Sequence, residues 1–279
     1  MENRNIAELL KASGFRFNKA LGQNFIFDTN LLDAIVADSG VTKDDVVVEV
    51  GTGAGTLTSR LAARAAKVIS FEVDTALQPV LSLSLQGLDN VEVVFRDVLK
   101  LGDDELRAIV GDGPFKVVAN LPYYVTTPLV MRFIESTLDV RSLTVMVQKE
   151  VADRFRAATG TADYAAVTLA VQMFGSAKLT RTVGREMFRP SPNVDSAVVR
   201  IDRERDKIAA EDVPRVKKLI RAAFAMRRKT LVNNLQASFG TPKEEGTRLV
   251  GELGFSPTVR GEALSLDDFV RLAHLMDKH

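Results

Sequence analysis

Five short apolar runs alternate with stretches of helical periodicity over residues 45–158 of this 279-residue chain. The runs are DVVVEV (45–50), KVISFEV (67–73), VEVVFRD (91–97), FKVVAN (115–120) and SLTVMVQ (142–148). Their apolar residues are consecutive rather than alternating, the pattern of strands buried on both faces. Helical patterns follow each run: TLTSRLAARA, then 75–86, DDELRAIV, 127–137 and KEVADRFRAA. Strands separated by helices predict an α/β domain with a Rossmann-like, doubly wound and mostly parallel sheet. Ahead of them, helices are expected over 5–14 and 28–39, the second with Asp28 as N-cap and Gly40 as its stop.

Beyond about residue 165 the pattern changes. AKLTRTV and SAVVRID are strand-like and flank the proline-rich loop MFRPSPNV, as a closing antiparallel hairpin at the sheet edge would. From Val213 the sequence reads as helical through VPRVKKLIRAAFAMRR and TLVNNLQASF to the end. The expected division is an α/β domain over 1–205 and a small all-α domain over 206–279.

Composition removes several kinds of chemistry. There is no Cys, hence no disulfide framework and no thiolate metal site, and a reducing compartment suits such a chain. The only histidines are His274 and His279, so histidine bases and histidine metal ligands are not expected, nor is a metal. No run of about 20 apolar residues predicts a membrane span, and the N-terminus lacks a signal-peptide core. A cytoplasmic protein is expected.

The net charge of +1 is unevenly placed: Arg203 to Lys229 hold ten Lys or Arg against four Asp or Glu, leaving −5 for the remainder. Such asymmetry predicts a polyanion-binding face; a merely solvated helix surface is the alternative. Lys217, Arg221 and Arg228 fall on one helical face, and Arg227 and Lys229 extend the basic run.

The first motif is Glu49-Val50-Gly51-Thr52-Gly53-Ala54-Gly55, between the first strand and the next helix. Glycines here let the chain turn tightly and a ligand approach bare backbone. A dinucleotide fingerprint would need a third glycine where Thr56 stands. The spacing E-x-G-x-G-x-G instead resembles the first motif of the S-adenosylmethionine-dependent methyltransferases. Glu72 lies 21 residues after Gly51, near the spacing at which an acid accepts from ribose hydroxyls. Asp97, at the third strand's end, is placed to accept from an adenine amine. Three such residues at successive strand ends predict one crevice.

The motif that decides the chemistry is Asn120-Leu121-Pro122-Tyr123, at the end of the fourth strand. It resembles the [D/N/S]-P-P-[Y/F] signature of amino-methyltransferases. An exocyclic adenine amine is a poor nucleophile because its lone pair is delocalised into the ring. Acceptors aimed at its N–H bonds stabilise the charge that develops on nitrogen; the Asn120 side-chain oxygen and the Leu121 carbonyl are the candidates. Pro122 stiffens the loop, and Tyr123 offers a face for stacking. No side-chain base is needed, consistent with the scarcity of histidine.

Together these segments resemble the KsgA-type ribosomal RNA small-subunit adenine dimethyltransferases: Leu21-Gly22-Gln23-Asn24-Phe25, Glu49 to Gly55, FEVD, RDVLK, NLPYYVTTP, FRPSPNVDSAV and AFAMRRKTLVNNL. The last segment separates them from the erythromycin-resistance methyltransferases of large-subunit rRNA, the nearest alternative. A non-catalytic assembly or transcription factor on the same fold is another, against which the intact motifs argue.

The resemblance implies a class I methyltransferase fold followed by a helical RNA-binding domain. It also implies a reaction: two methyl transfers to each of two adjacent adenosines in the 3′-terminal hairpin loop of small-subunit rRNA. A monomer acting within a pre-assembled small subunit is implied, with base flipping. Asn24, Phe25 and Ile26 are expected to close over the cofactor, with Gly51, Gly53, Glu72, Asp97 and Asn120 contacting it. Phe188 is expected to sandwich the target base with Tyr123; a core phenylalanine beneath a loop is the alternative. Tyr124 departs from the Asn often found at that position.

Overall fold

The computed structural model describes residues 4–15, 22–204 and 207–277. The chain divides into two compact units, one comprising the chain up to Ala152 with Lys178–Arg203, the other Asp153–Ala177 with the chain from Glu204 onward. The expected boundary between 205 and 206 lies outside the described residues; the last crossing is at Arg203/Glu204. The segment 153–177, placed with the α/β part from sequence, groups instead with the C-terminal helices.

The first unit holds α1 (Arg4–Ala12), β1 (Phe25–Ile26), α2 (Thr29–Ser39), β2 (Val46–Val50), α3 (Thr56–Ala62), β3 (Lys67–Phe71), α4 (Gln78–Ser84) and β4 (Val91–Val94). It continues through α5 (Asp103–Val110), β5 (Phe115–Asn120), α6 (Thr126–Ile134) and β6 (Val140–Gln148), into α7 (Lys149–Phe155). The seven-stranded sheet runs β4-β3-β2-β5-β6 and then β9 (Ser196–Arg203) and β7 (Gly175–Val183). All pairings among β2 to β6 are parallel, and β9 runs antiparallel to β6 from Ser142↔Asp202 to Gln148↔Ser196. The doubly wound sheet and its closing pair of strands thus stand as expected, with β9 inserted inside β7, the edge strand.

The strands form where β-branched residues cannot be exposed on either face. Val47, Val48, Val68, Ile69, Val117 and Val118 are all buried. Helix α2 starts where Asp28 accepts from the Leu31 N–H at 2.8 Å and stops at Gly40, which takes the left-handed conformation with φ 63°. Strands β3 and β4 are shorter than their apolar patterns, ending at Phe71 and Val94, so Glu72 and Asp97 sit in the loops just beyond. A two-stranded ladder joins β1 to β8 (Phe188–Arg189), pairing Ile26 with Phe188.

The second unit contains α8 (Ala166–Phe174), α9 (Val213–Ala225), α10 (Leu231–Phe239), α11 (Lys243–Glu252) and α12 (Leu266–Asp277). Its core includes Tyr164, Leu169, Val216, Leu219, Ile220, Leu231, Leu249, Phe269 and Leu272. Helix α8 has no counterpart in the sequence reading. Its stretch AVTLAVQMF is apolar nearly all round, which blurs the 3.6-residue period. Helix α9 ends at Ala225, short of the pattern extending to Arg228, because Met226 leaves helical geometry at ψ 86°. Arg228 therefore lies in the turn after the helix rather than on the face it was expected to share with Lys217 and Arg221. No helix among the described residues is long and apolar enough to cross a membrane.

Candidate active site

The sheet order reverses between β2 and β5, where the chain returns from the β2-β3-β4 side to build the other half. A switch point at the carboxyl ends of parallel strands leaves a crevice. The crevice here spans about 1070 Å³, open in part to solvent, and is lined by the ends of β2 to β5, by residues 22–26 and by Phe188. Every residue expected to hold the cofactor lines it: Asn24, Phe25, Ile26, Gly51, Gly53, Glu72, Asp97 and Asn120. So do Leu121, Pro122, Tyr123 and Phe188.

The glycine turn is bare for a geometric reason. Gly51 and Gly53 have φ of 82° and 55°, which L side chains rarely adopt. A Cβ on Gly53 would meet the Phe25 ring at 2.7 Å; one on Gly51 would meet only the Asn120 carbonyl oxygen, at 3.6 Å, and would otherwise occupy the crevice. Gly51 donates to the Phe71 carbonyl at 2.8 Å, fixing the turn against the end of β3.

Glu72 is buried, and its carboxylate accepts from three backbone N–H groups: Gly53 at 2.9 Å, Val73 at 2.8 Å and Asp74 at 2.9 Å. Burial pushes its carboxyl above the usual range, against the opposing effect of those N–H donors. A carboxylate has about four acceptor sites, so these three donors leave one unfilled. Asp97 caps the turn after β4, accepting from Leu99 N–H at 3.1 Å through Oδ1.

Asn120 donates through Nδ2 to the Asn24 carbonyl at 3.2 Å, leaving Oδ1 as its acceptor at the crevice. Tyr123 is pinned at its tip: its hydroxyl lies 2.6 Å from Ser196 Oγ at the start of β9. Burial raises the phenol above its ordinary value. Phe188 is 1% exposed and packs in a core cluster, as the core alternative expects, while also lining the crevice. Tyr124 also lines the crevice yet is 61% exposed, a ring at its mouth.

Three features were not singled out from sequence. Ser196 lies inside the proline-loop segment, but nothing in its spacing marks it as the partner of Tyr123. Gln23 bonds Asp74 at 2.6 Å, tying the segment before β1 to the loop after β3. Glu49, read only as a motif position, is fully buried. Its Oε2 accepts from Thr58 and Ser70, each at 2.6 Å, and Oε1 has no partner. Burial pushes its carboxyl to about 8.

The basic residues lie in the second unit. Lys217 and Arg221 sit one turn apart on α9, opposite the buried Val216, Leu219, Ile220 and Ala223. Arg227, Arg228 and Lys229 are exposed in the turn before α10, and among the described residues none of these three is in an ion pair. That turn is held by Asn234, whose amide donates to the Ala223 carbonyl at 2.9 Å. His274 pairs with Asp212 at 2.8 Å within the helical unit, and His279 lies outside the described residues. Among the described residues no group of three or more His, Asp or Glu is disposed to hold a metal ion.

Known proteins with this architecture share the chemistry that the crevice suggests. A relative from Geobacillus thermodenitrificans named ribosomal RNA small subunit methyltransferase A is 44% identical over 278 residues, spanning 96% of this chain and 94% of its own. One of the same name from Enterococcus faecalis is also 44% identical, over 98% of this chain and 94% of its own. The crystal structure of a dimethyladenosine transferase from Plasmodium falciparum superposes with a TM-score of 0.75 at 26% identity, covering 90% of this chain and 96% of that one. That of the 23S rRNA methyltransferase ErmE gives 0.69 at 25% identity, covering 91% and 99%. The model of the ribosomal RNA adenine dimethylase family matches residues 14–277, and the chain belongs to that family.

Proposed function

We propose that this protein is an S-adenosylmethionine-dependent methyltransferase that dimethylates N6 of two adjacent adenosines in the 3′-terminal hairpin loop of small-subunit rRNA. It acts as a monomer in the cytoplasm, on a pre-assembled small subunit during ribosome maturation. The observation that carries the reading is the placement of Asn120 at the switch-point crevice, its Nδ2 committed to Asn24 and its Oδ1 left to accept. The 44% identity to relatives named for the small subunit selects the substrate. The fold alone does not, since a 23S rRNA methyltransferase shares it.

The crevice suits the cofactor. Glycines at 51 and 53 leave backbone bare where a Cβ would intrude, Glu72 keeps an acceptor for a ribose hydroxyl, and Asp97 borders the place of an adenine edge. The bound cofactor supplies an electrophilic methyl group. The chain's own residues prepare the nucleophile. Tyr123 and Phe188 confine the flipped base, stacking being worth roughly 1–3 kcal/mol per base. The Asn120 oxygen and the Leu121 carbonyl accept from the amine and stabilise the positive charge that develops on nitrogen. The proton is released to water after transfer. The exposed cations of the helical unit dock rRNA phosphates, which position the enzyme without reading sequence.

Mass spectrometry of nucleosides from each rRNA of a strain lacking the protein tests this reading. N6,N6-dimethyladenosine should vanish from the small-subunit RNA and return on complementation. Its loss from large-subunit RNA instead would establish the erythromycin-resistance type of activity.

A further inference from the structure

A second hollow, of about 930 Å³, opens at the carboxyl end of β6. Gln148 ends that strand, Lys149 follows it, the turn between β7 and β8 contributes Arg185, and the loop before β9 contributes Asn193, Val194 and Asp195. One residue separates this hollow from the base-binding crevice. Ser196 is the cross-strand partner of Gln148 and the chain neighbour of Asp195, and its hydroxyl lies 2.6 Å from that of Tyr123. Whatever stacks on Tyr123 therefore has this hollow beyond the ring's far end.

The lining is chemically mixed in an informative way. Among the described residues the side-chain amides of Gln148 and Asn193 have no hydrogen-bond partner. An Asn or Gln amide matches the N6 donor and N7 acceptor of adenine with two bonds. Val194, 44% exposed, offers an apolar surface to a base. Lys149 and Arg185 are exposed, and among the described residues neither is in an ion pair. The acids do not oppose an anion freely. Asp195 accepts from Arg185 N–H at 3.2 Å through Oδ1 and from Lys149 N–H at 3.1 Å through its carbonyl, so it shapes the rim. Glu150 already has a partner within the fold. Two free amides, an apolar side chain and two free cations are the complement of one nucleotide, not of a bare polyanion.

We propose that this hollow holds the nucleotide next to the adenosine being methylated, with Gln148 and Asn193 reading an adenine edge and Lys149 and Arg185 at the phosphate. The inference rests on the small-subunit rRNA reading, in which the neighbour of each target is an adenosine. Guanine presents an O6 acceptor in place of the N6 donor, so the amides discriminate between the two purines.

The test uses unmethylated small subunits with A-A, G-A or A-G at the two positions. The wild-type enzyme should methylate the remaining adenosine about tenfold more slowly in at least one guanosine-containing particle than in the A-A particle. The double variant Gln148→Ala/Asn193→Ala should lose that preference while keeping the wild-type melting temperature and S-adenosylmethionine affinity. A separate variant, Lys149→Ala/Arg185→Ala, should weaken binding in all three particles and keep the preference. Equal wild-type rates on all three particles, or a preference that survives in the amide variant, would overturn the proposal while leaving the substrate reading intact. Absence of methylation in every particle would defeat that reading, and the hollow's role with it.

Discussion

The side-chain amide of Asn120 donates to the main-chain carbonyl of Asn24 across 96 residues of chain, at 3.2 Å. The bond fixes the orientation of the amide, and on the proposed reading the oxygen is then the group that would meet the amine. It also ties the segment before β1 to the NLPY loop. Gly22 lies over the same loop, where a Cβ would come within 3.2 Å of the Pro122 ring. The segment before β1 and the NLPY loop therefore form one wall of the crevice.

Asn120→Ala removes one acceptor from the developing charge. Loss of one such group costs on the order of 10²–10³ in rate. Single-turnover methylation of small subunits should fall by that factor, with the melting temperature near wild type because among the described residues the Asn120 side chain makes a single hydrogen bond. Normal turnover, or an unfolded variant, would remove Asn120 from the chemistry.

Cofactor binding should be lost by substitution at two points of the crevice. At Gly51 the added side chain of Gly51→Arg has open space only in the crevice itself. Glu72→Gln presents an amide nitrogen to backbone N–H groups or to the ribose, one of which must then lose its acceptor. Calorimetry should show S-adenosylmethionine affinity reduced at least tenfold in both. Wild-type affinity in either would relocate the ribose.

Arg227, Arg228 and Lys229 should contribute to RNA docking without touching the transfer step. Each phosphate left without its cation changes the log-affinity against log-salt slope by roughly 0.7–0.9. The triple alanine variant should bind cofactor normally and bind small subunits with a slope reduced by about two. The pair Lys217→Ala/Arg221→Ala should reduce it further, by about one and a half. An unchanged slope would make the basic run a solvated surface.

Glu49 gives the fold a pH dependence of known sign. Its carboxyl is raised from the ordinary 4.5 to about 8 in the folded chain. Below the ordinary value both states are neutral and nothing is lost. Between the two values the unfolded chain is ionised and the folded one is not, so stability falls as pH rises, by up to about 1.4 kcal/mol per pH unit. Glu49→Gln has no such titration. Between pH 5 and 8 the wild-type melting temperature should drop relative to the variant's by roughly 2–4 °C per pH unit. Parallel curves would mean that Glu49 stays ionised in the fold.

The α/β unit was legible because its signals are local. A glycine turn after DVVVEV, an acid after KVISF and a rigid tetrapeptide after FKVVA each name a strand end, and parallel strands bring their ends together without further information. What escaped depends on distant partners. Ser196 is 73 residues from Tyr123 and carries no mark of its own. Helix α8 is apolar on too many sides to show a period, because it is buried among helices that come much later in the chain. The overlong reading of α9 has a local cause: Ala, Met and Arg all favour helix, and the turn is imposed by tertiary bonds such as that from Asn234 to Ala223.

The chain passes from one compact unit to the other between Ala152 and Asp153, returns before Lys178, and leaves again after Arg203. A protein shortened at residue 205 would keep Tyr164, Leu169 and Val171 but lack α9 to α12, whose side chains complete the core that buries Tyr164 and Leu169. Tyr164 and Leu169 would become solvent-facing surface, an invitation to aggregate. Inheritance follows the same constraint: the helical unit cannot be exchanged between relatives by a single crossover at its apparent start, because its first helix is encoded within the catalytic half.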